Sequence, residues 1–346
     1  MKLDGSGMRK HVDGAAIAIM VTLCLIWGFQ QVAIKAVAGD ITPMMQVGVR
    51  SGGAAALVWL FNRFVTRERW LSGVALRSGL VVGVLFALEF LFVAEALRWT
   101  NASHVAVLLY TAPMFAAIGL HLKLPDERLA RLQWVGIGLA FAGIAVAFLG
   151  PALVGGARVA LANWLPGDFM ALCGGVAWGM TTVVVRTTRL SEAPPTQTLF
   201  YQLACAFVLL VPFAFATGQT RFHGAPLALA SLIFQTIAVA FVSYLVWFWL
   251  LRRYFAARLG VLSFMTPLFG VAMGVLLLRE HVDAAFLMGS ALVLAGLLIV
   301  NGQTWLCQMF VRGARYAEIV IAEGPFEQDG QTGETYDCRH ENPHRN

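Results

Sequence analysis

Two charged residues lie deep inside long apolar stretches of this sequence. Arg50 follows Pro43, the start of the second stretch, by about two helical turns, and Glu89 precedes Leu97, the end of the third stretch, by about two turns. A charge at the centre of a bilayer costs roughly 2.5–3.5 kcal/mol, so such residues usually serve a function. Two interpretations are open. The charges are coupling or ligand groups that bind a zwitterion or a proton in a cavity, or they form a structural salt bridge between neighbouring helices.

Aromatic rings accompanied by polar side chains recur inside the apolar stretches. Rings supply contact area and polar groups orient a ligand, so such faces suit a substrate cavity. The candidates on the first and sixth stretches share a tryptophan followed by residues three and four positions later on the same helix side, namely Trp27, Gln30, Gln31, Trp178, Thr181 and Thr182. The other cavity candidates carry a ring, hydroxyl or carboxylate and are Glu89, Tyr110, Ser243, Tyr244 and Trp247. The alternative for the tryptophan faces is packing between helices.

The sequence carries no pattern typical of catalysis, metal binding or a cofactor. The histidines fall in loops, tails or span ends, with His104 at the start of a stretch, and neither HExxH nor a Walker A sequence occurs. The five cysteines show no CxxC or metal-ligand spacing. Glu280, near a span end, is interpreted as a helix cap or an interface charge. We therefore predict a protein that is not an enzyme, needs no metal or cofactor and does not itself use ATP.

Composition excludes an ordinary soluble protein. Of the 346 residues, 59% are hydrophobic and 13% are charged, whereas soluble domains are about 45–50% apolar and 25% charged. The net charge is +6, but the cations lie between apolar runs, which is typical of a membrane protein rather than of one that binds nucleic acid. Membrane lipid is therefore the expected environment, and a small molecule is the expected partner.

Ten stretches are predicted to span a membrane as helices, each of which needs about 20 apolar residues. These spans, the first to the tenth, are residues 15–36, 43–62, 76–97, 102–121, 132–150, 168–188, 196–216, 226–250, 257–278 and 284–301. The first is longer than the ~7–15-residue core of a signal peptide. Lys and Arg crowd alternate connections, as at Arg63, Arg67 and Arg69. This bias predicts that both termini are cytoplasmic.

The two halves of the sequence echo each other in order. The matching pieces are Trp27-Gly28 with Trp178-Gly179, Tyr110–Phe115 with Phe264–Phe269, Gly136 with Gly289, and Gly143 with Gly296. Five spans per half is an odd number, so the second copy would enter the membrane from the opposite face, as in many secondary transporters. Pro113 and Pro267 occupy equivalent spans and would kink them, either as flexible points or as static bends. The glycines would permit close helix packing, which would also serve a homodimer.

The predicted organisation has five parts. They are a cytoplasmic N-terminus (1–14), a first repeat of five spans (15–150), a connecting loop (151–167), a second repeat of five spans (168–302) and a polar, disordered cytoplasmic tail (303–346).

These features resemble the drug/metabolite transporter superfamily, EamA type. The resemblance covers residues 13–302 and rests on Leu25-Ile26-Trp27-Gly28, Arg50, the segment 96–103, Thr266-Pro267 and Leu278-Arg279-Glu280. It implies an all-α membrane protein of ten helices in two inverted five-helix EamA-like repeats. It also implies a secondary carrier of the inner membrane that exports amino acids, drugs or other small metabolites by alternating access, with the aromatic amino-acid exporters as relatives in mechanism. The alternatives are an uptake or exchange carrier for another metabolite and a non-transporting scaffold or channel.

Overall fold

Helices occupy every predicted span in the computed structural model, which describes residues 13–71, 73–125, 128–154, 158–254 and 256–300. In chain order they are α1 (Gly14–Ala36), α2 (Pro43–Phe61), α3 (Val74–Trp99), α4 (Ala102–Leu109), α5 (Ala112–Lys123), α6 (Arg131–Val154), α7 (Arg158–Thr187), α8 (Pro195–Ala216), α9 (Pro226–Ile233), α10 (Tyr244–Arg253), α11 (Ala256–Ser263), α12 (Met265–Leu278) and α13 (Ala284–Val300). A π-helical segment, Phe234–Ser243, joins α9 to α10. Within the described ranges, the prediction of an all-helical protein is confirmed.

Seven helical stretches are long and apolar enough to cross a membrane. They are Gly14–Ala36, Leu76–Trp99, Ala102–Lys123, Leu165–Thr187, Pro195–Ala216, Pro226–Leu250 and Leu259–Leu278. The helix α2 has 19 residues, but Gln46, Arg50 and Ser51 make it more polar, and all three are buried. Large apolar side chains such as Val135, Leu227 and Leu276 point outward. Soluble proteins rarely expose large apolar patches, so this exterior suits a surface that faces lipid.

Prolines interrupt two of the predicted spans at equivalent places. The fourth span breaks at Tyr110 between α4 and α5, and the ninth breaks at Phe264 between α11 and α12. Pro113 and Pro267 each lie in the first turn after the break. A proline has no amide hydrogen and its ring blocks the preceding turn, so it is tolerated at the start of a helix but not in its interior.

The start of the sixth span differs from the prediction. The helix α7 begins at Arg158 rather than at Asp168, and it includes Pro166. Part of the segment 151–167, predicted as a loop, is therefore helical. The composition of this segment, rich in glycine and alanine, indicated a loop, but alanine also favours a helix. The predicted tail, 303–346, lies outside the described residues.

The first helix crosses α12 at a glycine. A Cβ atom added at Gly28 would lie 2.9 Å from the amide nitrogen of Gly270 and 3.0 Å from the carbonyl oxygen of Thr266. Only a residue without a side chain allows the two backbones to approach this closely. Gly28 therefore sets the distance between α1 and α12.

The helix α7 crosses α5 in the same manner. A Cβ atom at Gly179 would lie 2.7 Å from the carbonyl oxygen of Ala112 and 3.0 Å from the amide nitrogen of Ala116. By the sequence match, Gly179 is the counterpart of Gly28, and Ala112 and Ala116 are the counterparts of the residues that Gly28 meets on α12. The leading helix of each half thus packs on the fourth span of the other half through the same backbone atoms.

Four further glycines bring α6 and α13 together. A Cβ atom at Gly136 would lie 2.7 Å from the carbonyl oxygen of Gly296, and one at Gly143 would lie 2.6 Å from that of Gly289. In the sequence, Gly136 matches Gly289 and Gly143 matches Gly296. Exchanging the two halves therefore converts one of these contacts into the other. These glycines are used within the chain, and the homodimer stays a prediction.

We expect Gly136→Ala to lower thermal stability. The added methyl group meets the Gly296 backbone, which cannot rotate away, and overpacking of this kind costs about 1–3 kcal/mol. Gly138→Ala is the matched control, because a Cβ atom there meets nothing within 4 Å. Unfolding midpoints of the purified full-length variants in one detergent provide the measurement. Equal midpoints for the two variants would show that this crossing is not close.

Candidate functional site

The tryptophan of the first helix contacts the π-helical segment of the eighth span. Trp27 Nε1 donates a hydrogen bond to Ser243 Oγ over 2.8 Å. The rings of Trp27 and Trp247 meet edge to face, with centroids 5.7 Å apart. The structure therefore brings together three of the residues that the sequence predicts for a cavity. Ser243 ends the π-helical segment and Trp247 lies one turn later in α10, and the wider turns of a π helix shift side-chain positions from those of α-helical spacing.

The tryptophan of the sixth span has a ring partner of its own. Tyr110, in the break between α4 and α5, meets Trp178 edge to face at a centroid distance of 5.1 Å. Tyr110 is buried, whereas Trp178 is half-buried. The break that precedes Pro113 thus supplies one side of the second aromatic pair.

Arg50 and Glu89 are both buried, with 1% and 5% of their surface exposed. No ion pair within 4.0 Å joins them in the described structure, so a direct salt bridge, one of the two interpretations of the sequence, is not observed. Instead the guanidinium carbon of Arg50 lies 4.5 Å from the centre of the Phe90 ring. A cation over an aromatic face is stabilised by the quadrupole of the ring. The physical reason is rotation about α3, which presents Phe90 rather than Glu89 to the guanidinium group.

The two charges belong to a larger group that we call the central polar cluster, made of Arg50, Glu89, Tyr110 and Tyr244. Tyr244 and Glu89 lie close enough to Arg50 to interact with it electrostatically. Tyr110 is close enough to interact in the same way with Glu89 and Tyr244. Each of the four residues comes from a different element: α2, α3, the α4–α5 break and α10. All four residues are at least half-buried, in the interior of the helical assembly.

Several polar atoms at this site have no hydrogen-bond partner. They are Arg50 Nε, Arg50 Nη1 and Glu89 Oε2. Buried polar groups are nearly always paired in folded proteins, because an unpaired group pays its full desolvation cost. Unpaired atoms on two buried, oppositely charged residue types of neighbouring helices are expected of a site that a polar ligand completes.

Two predicted cavity residues of α7 form hydrogen bonds with their own helix. Thr181 and Thr182 donate hydrogen bonds to carbonyl oxygens one turn earlier in α7, at 3.0 and 3.4 Å. Their hydroxyl hydrogens are therefore used by their own helix, and the sequence pattern cannot reveal this. Gln30 is buried in α1.

A second polar group, which the sequence analysis did not assemble, surrounds the turn between α3 and α4. We call it the α3–α4 polar cluster, and its members are Lys35, Thr100, Ser103, His104, Asp168 and Glu280. His104 Nδ1 lies 2.9 Å from Asp168 Oδ2, and Thr100 Oγ1 donates to the same carboxylate. The imidazole of His104 stacks on Phe286 with centroids 3.7 Å apart. In the sequence these residues look like separate span ends.

Glu280 caps α4 from a distant part of the chain. Its carboxylate accepts hydrogen bonds from the amides of Ala102 and Ser103 at 2.7 and 3.0 Å and from Ser103 Oγ at 2.6 Å. Lys35 Nζ lies 3.6 Å from the same carboxylate. A carboxylate at the positive end of a helix satisfies amides that have no partner within the helix. The sequence interpretation of Glu280 as a cap thus has a physical basis, although the capped helix is not its own.

The described residues contain no group of three or more His, Cys, Asp or Glu side chains that could hold a metal ion. The site that remains is a set of unpaired polar atoms beside two aromatic pairs, enclosed by helices of both halves. The profile of the EamA-like transporter family matches the chain twice, over residues 14–149 and 165–302. The chain belongs to the EamA-like transporter family.

Relatives of known name agree with this assignment. The chain is 27% identical to a probable amino-acid metabolite efflux pump of Escherichia coli K12, over 85% of this chain and 96% of that protein. It is 25% identical to a protein of the same name from Salmonella typhimurium LT2, over 82% of this chain and 93% of that protein. A solved crystal structure shares the fold, with a TM-score of 0.60 at 20% identity over 86% of this chain and 99% of that one.

These findings make the protein a multi-pass membrane transporter of the EamA-like family. The named relatives are transporters or efflux pumps and not enzymes. The family supports the classification but does not test the individual cavity residues, whose roles stay predictions.

We expect Glu280→Ala to destabilise the transporter. The variant leaves the amides of Ala102 and Ser103 without an acceptor and Lys35 without its ion-pair partner, and each buried unpaired group costs about 1–3 kcal/mol. Glu192→Ala removes an exposed carboxylate as the matched control. Thermal unfolding in detergent measures both variants. A loss no larger than that of the control would contradict the capping role.

Proposed function

We propose that the protein is a secondary transporter that exports small amphipathic metabolites, such as amino acids, across the inner membrane. The observation that carries this proposal is the set of unpaired buried polar atoms on Arg50 and Glu89, in a protein whose interior also holds the two aromatic pairs. Polar atoms that lack protein partners suit a hydrophilic end of a ligand, and the rings suit an apolar end. The names of the two bacterial relatives agree with amino-acid metabolites as substrates.

The transporter has ten membrane helices in two inverted repeats under this proposal. The matched backbone contacts support it, because α1 meets α12 as α7 meets α5. A contact and its counterpart of this kind arise when a two-fold axis exchanges the repeats. Since five spans separate equivalent positions, that axis lies in the membrane plane and the repeats run in opposite directions.

Alternating access follows from this symmetry. Two copies of one pattern in opposite orientations can exchange conformations, and the exchange swaps the side to which the central cavity opens. The breaks before Pro113 and Pro267 are equivalent places where each fourth span can bend. With both termini cytoplasmic, the α3–α4 polar cluster lies on the outer side, where Asp168 and Glu280 of one repeat bind residues of the other.

The decisive experiment measures flux in sealed liposomes that contain the purified full-length protein. L-phenylalanine, L-leucine and tetraphenylphosphonium are loaded separately, with and without a pH gradient, and their release is compared with that from empty liposomes. Saturable release of an amino acid supports the proposal. Unsaturable flux would indicate a channel, and release equal to that of empty liposomes would indicate a scaffold.

We expect Trp27→Ala and Trp178→Ala each to lower the rate of saturable amino-acid release by about tenfold, which corresponds to roughly 1.4 kcal/mol. Each variant removes one member of an aromatic pair that lines the cavity. Trp59→Ala is the control, because Trp59 lies on α2 with its ring exposed toward lipid. Trp27→Phe keeps a ring but cannot donate to Ser243, so an intermediate rate is expected. Rates equal to that of the Trp59 variant would remove these rings from the transport path.

A further inference from the structure

Two buried opposite charges that do not pair with each other are the most unusual feature of the transporter. Arg50 and Glu89 lie on the neighbouring helices α2 and α3 and within electrostatic range of one another. Removing an ion from water carries a large desolvation cost, which close pairing normally offsets. Here the protein keeps both charged side chains inside and leaves the direct ion pair unmade. Other interactions must therefore compensate for the desolvation cost.

Phe90 compensates for part of the desolvation cost of Arg50 and helps to fix the position of its side chain. The face of its ring lies under the guanidinium carbon, and the ring is itself buried. A ring face attracts the cation as a whole and does not replace the oxygen acceptors that guanidinium N–H groups normally find. Nε and Nη1 of Arg50 are left without acceptors. The arginine is therefore held in place with hydrogen-bond donors still available.

Glu89 complements this arrangement with an unused acceptor. Its Oε2 is buried and has no donor. The hydroxyl of Tyr244 lies within electrostatic range of both charges. The protein thus offers unused donors of a guanidinium group on α2 and an unused oxygen of a carboxyl group on the neighbouring helix α3, both in its interior.

A ligand with a carboxylate and an ammonium group would satisfy both sides at once. Carboxylates accept charge-assisted hydrogen bonds from guanidinium groups, and ammonium groups donate three hydrogen bonds to acceptors such as carboxylates. We propose that Arg50 and Glu89 form a zwitterion subsite, in which Arg50 binds the carboxylate and Glu89 binds the ammonium group of an α-amino acid. This inference rests on the proposed transport function and assigns the chemical class of its substrate.

The arrangement also defines the roles of the neighbouring residues. The substrate side chain extends toward the aromatic pairs, which make no charged contacts and accept a range of apolar groups. Phe90 is a positioning residue, since it acts through Arg50. Binding of the zwitterion removes the unpaired state of both charges, so a ligand that carries only one of the two groups leaves the opposite charge unsatisfied.

The test uses three probes of nearly equal shape and apolar surface. L-phenylalanine carries both charges, 2-phenylethylamine carries only the ammonium group, and 3-phenylpropanoate carries only the carboxylate. Isothermal titration calorimetry measures their affinity for the purified full-length protein in detergent. We expect L-phenylalanine to bind at least about tenfold more tightly than either single-charge probe, the gain expected of one charge-assisted contact.

Two variants should alter this preference in opposite ways. In Arg50→Gln, affinity for L-phenylalanine should fall by about tenfold or more, to the level of 2-phenylethylamine, while 2-phenylethylamine keeps or gains affinity. In Glu89→Gln, the affinity for L-phenylalanine should fall to the affinity for 3-phenylpropanoate. A merely structural role would lower the affinity of all three probes together, and would overturn the proposal.

Matched controls come from an ion pair elsewhere on α3. Arg98 and Glu95 pair at 2.7 Å near the end of this helix, and Arg98 is largely exposed. Arg98→Gln and Glu95→Gln should leave the order of the three affinities unchanged. If Arg50→Gln does not fold, Arg50→Lys keeps the charge but not the planar donor set. That variant should retain the preference for L-phenylalanine with reduced affinity, and an unchanged affinity would count against a direct contact.

The outcomes separate the subsite from the transport function. Equal wild-type affinity for the three probes, or no binding of L-phenylalanine at millimolar concentration, overturns the zwitterion subsite. Saturable release of tetraphenylphosphonium from liposomes in that case would show that transport stands without it. Failure of every compound in the liposome experiment would overturn the transport function itself.

Discussion

Close approach of helix backbones at glycine is the constraint on which the rest of this structure depends. In a membrane, helices gain little from burying apolar groups against each other, so small residues that allow intimate contact decide where they meet. Gly28 and Gly179 decide this for the leading helix of each half. Trp27 and Trp178 are their immediate neighbours in the chain. The crossings therefore fix the height of both tryptophans and hold them near their partners Trp247 and Tyr110.

The two polar clusters differ in a way that separates support from function. In the α3–α4 polar cluster, the carboxylates of Asp168 and Glu280 are saturated by hydroxyls, amides, a lysine and an imidazole. Such a network holds helices together because each member would be costly to leave unpaired. In the central polar cluster, Arg50 and Glu89 retain unused donors and an unused acceptor. The same desolvation cost that stabilises the first cluster is left uncompensated in the second, which is why we propose a ligand there.

The arginine shows how much of the site could be predicted from the sequence. Depth in the membrane follows from the helical rise, so Arg50 and Glu89 were correctly expected to be buried in neighbouring spans. Whether they form an ion pair depends on the rotation of each helix about its axis, and in this structure Phe90 rather than Glu89 contacts the guanidinium group. Similarly, the hydroxyls of Thr181 and Thr182 turn back to their own helix, which residue spacing does not show.

The sequence by itself determined that this chain is helical, apolar, membrane-embedded and a member of its transporter family. Length, composition and the order of short motifs suffice for that, because bilayer thickness sets the length of a spanning helix and backbone hydrogen bonding leaves few other conformations. Only the tertiary structure decided the pairing of His104 with Asp168, the capping of α4 by Glu280 and the separation of Arg50 from Glu89. Each of these depends on distances between helices, which are set by packing across the whole assembly and not by any local stretch of residues.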